Sequence, residues 1–319
     1  MQVNGSGISK KLLHLFTQKE WRGQVFSRFE NALNIELDGV FLFNLLPDHL
    51  PLNPRSLSLP LSDWEKMRTL SMKPGLPVWV GKTFIDIPSR KLRITFDQSR
   101  SWNSTPYLPK APNTEAEIYE NLEIVERGAE GFRQNNSIGC PRDAKSFSCI
   151  YEDFFRKHVL QAKNDLILSL SAGNLSDSVR ISSQLIGLGH GLTPSGDDVL
   201  SGIMAAGIYC GLAYPLLFPF ISELNNRIVS AAKNRTTIFS QVFLEDSSQG
   251  EVVQPLRELL RGILCRKDQR ALLELTRQVL NLGGTSGADM LEGALGGLTV
   301  FLKLKEGWCH TGISSDIYQ

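Results

Sequence analysis

The chain has 319 residues, of which 42% are hydrophobic and 21% charged, and its 34 Lys and Arg nearly balance its 33 Asp and Glu. A formal net charge of +1 gives no electrostatic reason to expect nucleic acid or a membrane surface as a partner. The five cysteines show no CxxC or CxxH spacing, no apolar run reaches the ~20 residues of a membrane span, and the N-terminus lacks the order of a signal peptide, so we expect a cytoplasmic protein without a disulfide framework or a zinc site.

Residues 24–97 are predicted to form short strands, because β-branched or alternating runs recur there between Gly, Pro, Asn and Asp residues. The predicted strands are Gln24–Phe29, Ala32–Glu36, Val40–Leu45, Ser56–Leu61, Pro77–Val80, Thr83–Ile87 and Leu92–Phe96. A hairpin turn is predicted at Gly81-Lys82. Short helices are predicted over residues 8–20 and over Asp63–Leu70, the second capped by Ser62. Together these elements predict a small barrel or a curled sheet.

The segment Ser99–Thr114 is rich in Ser, Pro and Asn and predicts a boundary between a β-rich domain (residues 1–110) and a helical domain (residues 111–319). Thr114 is predicted to cap a helix that extends to Arg133, because apolar residues recur there at intervals of three and four. Further predicted helices are Cys149–Ala172, a helix within Asn174–Ile186 capped by Ser176, Leu216–Ala232, Ile238–Glu245, Val252–Leu264 and Asp268–Leu282. The predicted fold class is α+β, with a β-rich, barrel-like N-terminal domain followed by an all-α C-terminal domain.

Two Gly-rich loop–helix motifs lie in the predicted helical domain. The first reads Gly187-Leu188-Gly189-His190-Gly191-Leu192-Thr193-Pro194-Ser195-Gly196-Asp197-Asp198. Its glycines permit positive φ angles and close approach of a ligand, and His190 could bind a substrate oxygen or shuttle a proton. Thr193 is the predicted N-cap and Pro194 the predicted first helical residue, so that free N–H groups face the loop. Asp197 and Asp198 then lie in the first turn, where they either complement the helix dipole or contact a ligand.

The second motif is a partial copy of the first. Ser286-Gly287-x-Asp289-x-Leu291-x-Gly293 matches Ser195-Gly196-x-Asp198-x-Leu200-x-Gly202. In both helices small residues follow the acid at intervals of four and therefore share one helix face. We expect the two helices to pack through Gly202 and Gly293 and to bring Asp198 and Asp289 together. The alternative is a chance similarity between two glycine-rich helix starts.

The segment Lys233–Thr237 interrupts the helical pattern and is a third candidate element of the site. A planar guanidinium at Arg235, followed by the hydroxyl of Thr236, suits a bidentate clamp for a carboxylate or a phosphate. The alternative is an ordinary junction between two surface helices.

The two motifs, over residues 189–202 and 283–291, resemble those of the AllH-type family, which includes a subunit of the bacterial oxamate carbamoyltransferase of allantoin breakdown. The resemblance covers about residues 185–300. It implies a subunit of a multi-subunit carbamoyltransferase that converts oxalurate and phosphate to oxamate and carbamoyl phosphate in purine and allantoin nitrogen catabolism. It also implies that other subunits of the complex are partners.

The predicted site lies where the two helix N-termini meet. Its predicted catalytic residues are Asp197, Asp198 and Asp289. Its predicted substrate-binding residues are Gly189, His190, Gly191, Thr193, Ser195, Gly196, Arg235, Thr236, Thr285, Ser286 and Gly287.

Two kinds of ligand reconcile N–H donors with neighbouring carboxylates. Mg²⁺ could lie between the aspartates and a phosphate, and it is the one cofactor that the pattern leaves open. Alternatively, a small anionic ureide or amide donates its NH₂ to an aspartate while its oxygen accepts from backbone N–H groups. The resemblance favours the second kind, with phosphate or carbamoyl phosphate as co-substrate.

Two functions remain open from the sequence. In the first the chain is a catalytic or co-catalytic subunit of a carbamoyltransferase; in the second it is a non-catalytic small-molecule-binding or assembly subunit of such a complex. A stand-alone hydrolase or kinase-like enzyme fits less well, because the glycine-rich loop lacks the Lys of a Walker motif. No Ser-His-Asp or Cys-His arrangement is readable that would indicate a covalent acyl-enzyme.

Overall fold

The computed structural model describes residues 1–135, 147–266 and 268–311. The chain divides into two compact units, one made of Met1–Ser104 with Val252–Gln254 and the other of Thr105–Glu251 with Pro255–Gln319. The first unit carries a β-sheet and the second consists mainly of helices. The α+β class predicted from the sequence is confirmed.

Within the described residues, ten strands form one sheet in the first unit. They are Gln2–Asn4 (β1), Gly7–Ser9 (β2), Trp21–Arg28 (β3), Leu33–Leu37 (β4), Phe41–Pro47 (β5), Ser56–Leu59 (β6), Pro77–Val80 (β7), Phe84–Ile87 (β8), Leu92–Thr95 (β9) and Arg100–Trp102 (β10). The order across the sheet is β1-β9-β8-β7-β3-β4-β5-β6-β2-β10. All seven predicted strands are present, and the predicted hairpin joins β7 to β8. The sequence prediction missed β1, β2 and β10, because three residues are too few to show an alternating pattern.

The connection between β1 and β2 forces this sheet to curl. β1 is one end of the sheet and β2 is next to the other end, yet only Gly5 and Ser6 separate them along the chain. So short a connection spans roughly 10 Å at most, so the two ends must come together. The Gly5 N–H accordingly donates to the Thr95 carbonyl of β9 (2.7 Å), and the Ser6 N–H donates to the Ser58 carbonyl of β6 (2.8 Å).

A short helix fills the inside of the curl. This helix, Lys10–Gln18 (α1), buries Phe16, whose ring packs against Phe43 and Phe96 at centroid distances of 5.3 and 5.4 Å. The second helix, Leu61–Arg68 (α2), follows Pro60 rather than the predicted cap Ser62. The Pro60 carbonyl accepts the N–H groups of residues 63 and 64, so the helix begins two residues earlier than its sequence suggested.

The remaining α-helices of the described ranges are Glu115–Asn135 (α3), Phe147–Ser171 (α4), Leu175–Leu185 (α5), Ser195–Ala213 (α6), Phe218–Ala232 (α7), Ile238–Ser248 (α8), Gln254–Cys265 (α9), Gln269–Leu280 (α10) and Ser286–Thr311 (α11). Thr114 caps α3 as predicted, in a reciprocal pair of hydrogen bonds with Glu117 (3.1 and 3.4 Å). The cap of α5 is Asn174 instead of Ser176, because its side chain accepts from the Asp177 N–H (3.0 Å). None of the helices in these ranges combines the length and the apolar composition that a membrane crossing requires.

Helix α6 is the centre of the helical unit. Every residue from Gly196 to Gly211 is buried, so the helix is covered on all sides. Its neighbours are α11, α7, α8, α5 and α4. Packing around a helix without a solvent face demands small residues where a neighbour approaches most closely.

The closest approach is the crossing of α6 and α11, which we call the glycine seam (Gly202, Ala206, Gly293 and Gly297). A Cβ atom on Gly202 would lie 2.1 Å from the Met290 carbonyl oxygen, and one on Gly293 would lie 2.0 Å from the Val199 carbonyl oxygen. Both carbonyls precede the seam glycine of their own helix by one turn, so the contact is reciprocal. The predicted packing of the two motif helices through Gly202 and Gly293 is therefore confirmed.

We expect Gly202→Ala to destabilise the protein although alanine is the better helix former. The added methyl group overlaps the Met290 carbonyl, and overpacking of this kind costs about 1–3 kcal/mol. Gly131→Ala in α3 is the matched control, since no atom lies within 4 Å of its Cβ position, and it should raise the free energy of unfolding by about 0.5–1 kcal/mol. Denaturant unfolding of the full chain measures both. Equal effects of the two substitutions would contradict a tight seam.

Candidate functional site

The glycine seam places the N-terminal turns of α6 and α11 side by side. The hydroxyls of Thr193 and Ser286 lie 3.0 Å apart. The hydroxyl of Ser286 lowers the pKa of Asp198, and the hydroxyl of Ser195 lowers the pKa of Asp289, so each serine lies beside the carboxylate of the other helix. Ser195 and Asp198 hold the same positions in α6 that Ser286 and Asp289 hold in α11. The duplication in the sequence is thus a reciprocal arrangement in space.

Each of the two carboxylates keeps one oxygen without a partner. The Oδ2 atoms of Asp198 and Asp289 are buried and have no hydrogen-bond partner among the described residues. Asp198 is 5% exposed. An unsatisfied buried acceptor costs about 1–3 kcal/mol, and native proteins retain few of them. These two oxygens stand at equivalent positions of the duplicated motif, which makes them the candidate acceptors of the site. We call Asp198 and Asp289 the carboxylate pair.

Burial opposes ionisation of both members of the pair. Burial raises the pKa of Asp198 well above its ordinary value, and the negative charge of Asp289 raises this pKa further. Burial also raises the pKa of Asp289, while the positive charge of Arg156 lowers it. Neighbouring acids with perturbed pKa values at a helix tip are typical of functional sites.

Asp197 differs from its neighbour in that both of its oxygens are occupied. The Gly187 N–H donates to Oδ1 (2.9 Å), and the Thr236 hydroxyl donates to Oδ2. Burial raises the pKa of Asp197, and these two hydrogen bonds oppose the rise. Asp197 therefore fastens the glycine-rich loop to α6, and its predicted catalytic role stays a prediction.

The start of α6 differs from the prediction. The helix begins at Ser195, with Pro194 as a cap residue in an extended conformation and without a side-chain capping bond. Thr193, the predicted cap, instead contacts Ser286. The Gly196 N–H, which was expected to be free, donates to the Leu188 carbonyl of the loop (2.8 Å).

The glycines of the two motifs serve the backbone in different ways. Gly187, Gly189 and Gly191 have φ angles of +72°, +125° and +90°. These conformations favour glycine and let the loop fold back over the start of α6. At Gly196 and Gly287 the reason is packing: a Cβ atom would lie 2.1 and 1.9 Å from carbonyl oxygens at the ends of α5 and α10.

The segment Arg235–Thr237, which we call the loop brace, supports the glycine-rich loop from outside. The exposed Arg235 donates from its guanidinium to the Ser183 carbonyl of α5 (2.8 Å). The Thr237 hydroxyl donates to the Leu192 carbonyl and accepts the Ser240 N–H as the cap of α8. With the bond from Thr236 to Asp197, the brace therefore touches both ends of the loop. The ligand clamp predicted at Arg235 stays a prediction, and in this structure its guanidinium contacts α5.

His190 is exposed in the loop, and its ring lies edge-on to Phe155 of α4 at a centroid distance of 4.6 Å. The same helix supplies charges that the sequence analysis missed. Arg156 acts on Asp289, and Lys163, seven residues further along α4, forms an ion pair with Glu292 (2.5 Å). The seven-residue spacing places both cations on one face of α4. That spacing is common in helices, so only the fold reveals what this face contacts.

We expect Asp198→Asn to raise the stability of the ligand-free protein near neutral pH. Because the pKa of Asp198 is raised on folding, the folded state binds more protons than the unfolded chain from about pH 3.9 up to that raised pKa. The wild-type protein therefore loses stability as the pH rises through this window. The asparagine variant has no carboxyl group there and does not show this loss. Unfolding measured at several pH values should show a gain near pH 7.5 that vanishes towards pH 4. A loss at neutral pH would indicate that the acid merely complements the helix dipole.

We expect Thr236→Val to destabilise the helical unit by about 1–3 kcal/mol, because it leaves an oxygen of the buried Asp197 without a donor. Ser171→Ala removes an exposed hydroxyl from α4 and serves as the control, with an effect of at most about 0.5 kcal/mol. Denaturant unfolding compares the two variants. Similar effects would mean that the brace contributes nothing measurable.

The comparisons with known proteins agree with this division of the chain. Residues 4–101 match the family model described as the AllH family N-terminal domain. Residues 185–298, which include both motifs and the carboxylate pair, match the model described as oxamate carbamoyltransferase subunit AllH. No solved structure is significantly similar to the chain. The two models together cover most of the sequence, and the chain belongs to the AllH family.

Proposed function

We propose that this chain supplies the substrate-binding carboxylate pair of an oxamate carbamoyltransferase. The complex would convert oxalurate and phosphate to oxamate and carbamoyl phosphate, in purine and allantoin nitrogen catabolism. The observation that carries the proposal is the pair of buried, unpartnered Oδ2 atoms at Asp198 and Asp289. Amide and ureide N–H groups are neutral donors that satisfy buried carboxylates. The family description as a subunit supports the presence of partner subunits.

The reaction needs donors for a developing negative charge. A phosphate oxygen attacks the carbamoyl carbon of oxalurate, the bond from that carbon to the oxamate nitrogen breaks, and the proton of the phosphate passes to that nitrogen. Charge builds on the carbamoyl oxygen in the tetrahedral intermediate. The hydroxyls of Ser195 and Ser286, beside the carboxylate pair, are donors available to this oxygen.

The anionic end of the substrate needs a cation, and we assign this role to Arg156. Its positive charge already acts on Asp289 from α4. A guanidinium pairs with a carboxylate through two parallel N–H bonds. Arg235 was the residue expected from the sequence, but its guanidinium is directed to the Ser183 carbonyl.

We expect Asp198→Asn and Asp289→Asn each to lower oxalurate-dependent formation of carbamoyl phosphate by the assembled complex at least about tenfold. Loss of a charge-assisted hydrogen bond costs about 1.5–3 kcal/mol, while asparagine keeps the shape of the side chain. Asp177→Asn is the matched control, because Asp177 also lies in a first helical turn, that of α5, but its side chain is 49% exposed and pairs with Arg180. It should leave the activity unchanged.

Two further outcomes separate the candidate roles. If calorimetry shows that the chain alone binds oxamate but turnover requires a partner subunit, then the chain is the binding subunit and chemistry resides in the partner. If both variants keep wild-type activity and wild-type affinity for oxamate in the complex, the carboxylate pair is structural and the proposal fails.

A further inference from the structure

The two unpartnered oxygens form a matched acceptor pair rather than two separate defects. They belong to equivalent residues of a reciprocal helix crossing, and hydroxyls of both motifs lie beside each carboxylate. The two helix tips that carry these carboxylates meet, since the hydroxyls of Thr193 and Ser286 lie 3.0 Å apart. If a ligand donated a hydrogen bond to only one of these oxygens, the other would stay buried without a partner. About half of the desolvation cost would then remain. A ligand that presents two donors at once would satisfy both oxygens.

Two kinds of chemical group can do this: a cation, or a planar nitrogen with two hydrogens. Mg²⁺ is usually held by one or two carboxylates together with water and substrate phosphate, and the titration with EDTA described below tests this occupant. An –NH₂ group needs just two acceptors, one on each side in its own plane. The number of acceptors thus matches the amide nitrogen.

Given the proposed function, we infer that Asp198 Oδ2 and Asp289 Oδ2 each accept one hydrogen of the same carbamoyl –NH₂ group. The carbamoyl nitrogen is shared by oxalurate and carbamoyl phosphate, so the same contact holds the transferred group on both sides of the reaction. The carboxylate pair is then the element that selects a carbamoyl group over other acyl groups.

This arrangement disfavours acyl groups that lack –NH₂, because their binding would leave both carboxylate oxygens without a hydrogen-bond donor. An acetyl group has the size and shape of a carbamoyl group but carries a methyl in place of –NH₂. Its binding would place that methyl between two buried oxygens that have no other partner among the described residues. Sites built to hydrogen-bond an N–H or O–H group reject analogues that lack it by several orders of magnitude.

The test compares carbamoyl phosphate with acetyl phosphate as ligands of the assembled complex. Wild type should bind carbamoyl phosphate at least about 100-fold more tightly. Asp198→Leu and Asp289→Leu should weaken the binding of carbamoyl phosphate and strengthen that of acetyl phosphate, because the unpaired carboxylate is gone. A purely structural role would weaken both ligands together. The control Asp177→Asn should leave both affinities at the wild-type values.

The asparagine variants keep the test decisive if leucine prevents folding. Asp198→Asn and Asp289→Asn should each reduce the preference for carbamoyl phosphate at least about tenfold, since a charged acceptor is lost. Parallel titrations with EDTA and with Mg²⁺ test the cation. Binding of carbamoyl phosphate that disappears in EDTA and returns with Mg²⁺ would overturn the inference.

Failure of the inference is distinguishable from failure of the proposed function. If wild type binds the two phosphates within about threefold of each other while the asparagine variants still lose oxalurate turnover, the selection mechanism is wrong and the function stands. If the asparagine variants keep full oxalurate turnover, the proposed function fails and the inference fails with it.

Discussion

The helical unit depends on the backbone contact between α6 and α11. At Gly202 and Gly293 the carbonyl oxygen of one helix lies where the Cβ atom of the other would be. Helices with ordinary side chains at the crossing stay about 8–10 Å apart. Closer approach here brings the serines at the two tips within reach of the opposite carboxylates. Each seam glycine costs about 1 kcal/mol relative to alanine in helix propensity. In return, the glycines allow the close packing that brings the two helix tips together.

Two adjacent acids at the start of α6 show how one helical turn serves both structure and function. Asp197 has a donor at each oxygen and joins the loop, the helix and the loop brace. Asp198 points to α11 and retains an oxygen without a partner among the described residues. Successive residues on a helix face directions about 100° apart. In this dipeptide, Asp197 therefore has a hydrogen-bond donor at each oxygen, whereas Asp198 keeps one oxygen without a donor from the described parts of the chain.

Much of this arrangement could be predicted from the sequence because it repeats. The matching order of serine, glycine, acid and glycine indicated two equivalent helices, and the spacing of Gly202 from Asp198 indicated which faces meet. Alternating residues likewise located seven of the strands. The order of strands in the sheet could not be predicted, because β1 and β10 pair with residues distant in the chain.

Other features of the site depend on three-dimensional contacts that leave no local pattern. The sequence did not distinguish the roles of Asp197 and Asp198, since the difference arises from Thr236, which is far away along the chain. Arg156 was overlooked for the same reason: its helix shows no motif, and its proximity to Asp289 arises from the packing of α4 on α11. The sequence around Arg235 predicted a ligand clamp. In the structure its guanidinium donates to the Ser183 carbonyl near the end of α5.

The two N-terminal turns that carry the carboxylate pair, one in α6 and one in α11, have different surroundings. Glu292 of α11 pairs with Lys163, whereas Ser201, at the equivalent position of α6, is hydrogen-bonded to Ser247 in a buried neutral contact (2.6 Å). Arg156 also stands on the α11 side. A perfectly symmetric cradle would accept an asymmetric molecule in two opposite orientations with equal energy. In the proposed complex a negatively charged end would have a lower electrostatic energy towards α4, so the fold itself would give a bound molecule a direction.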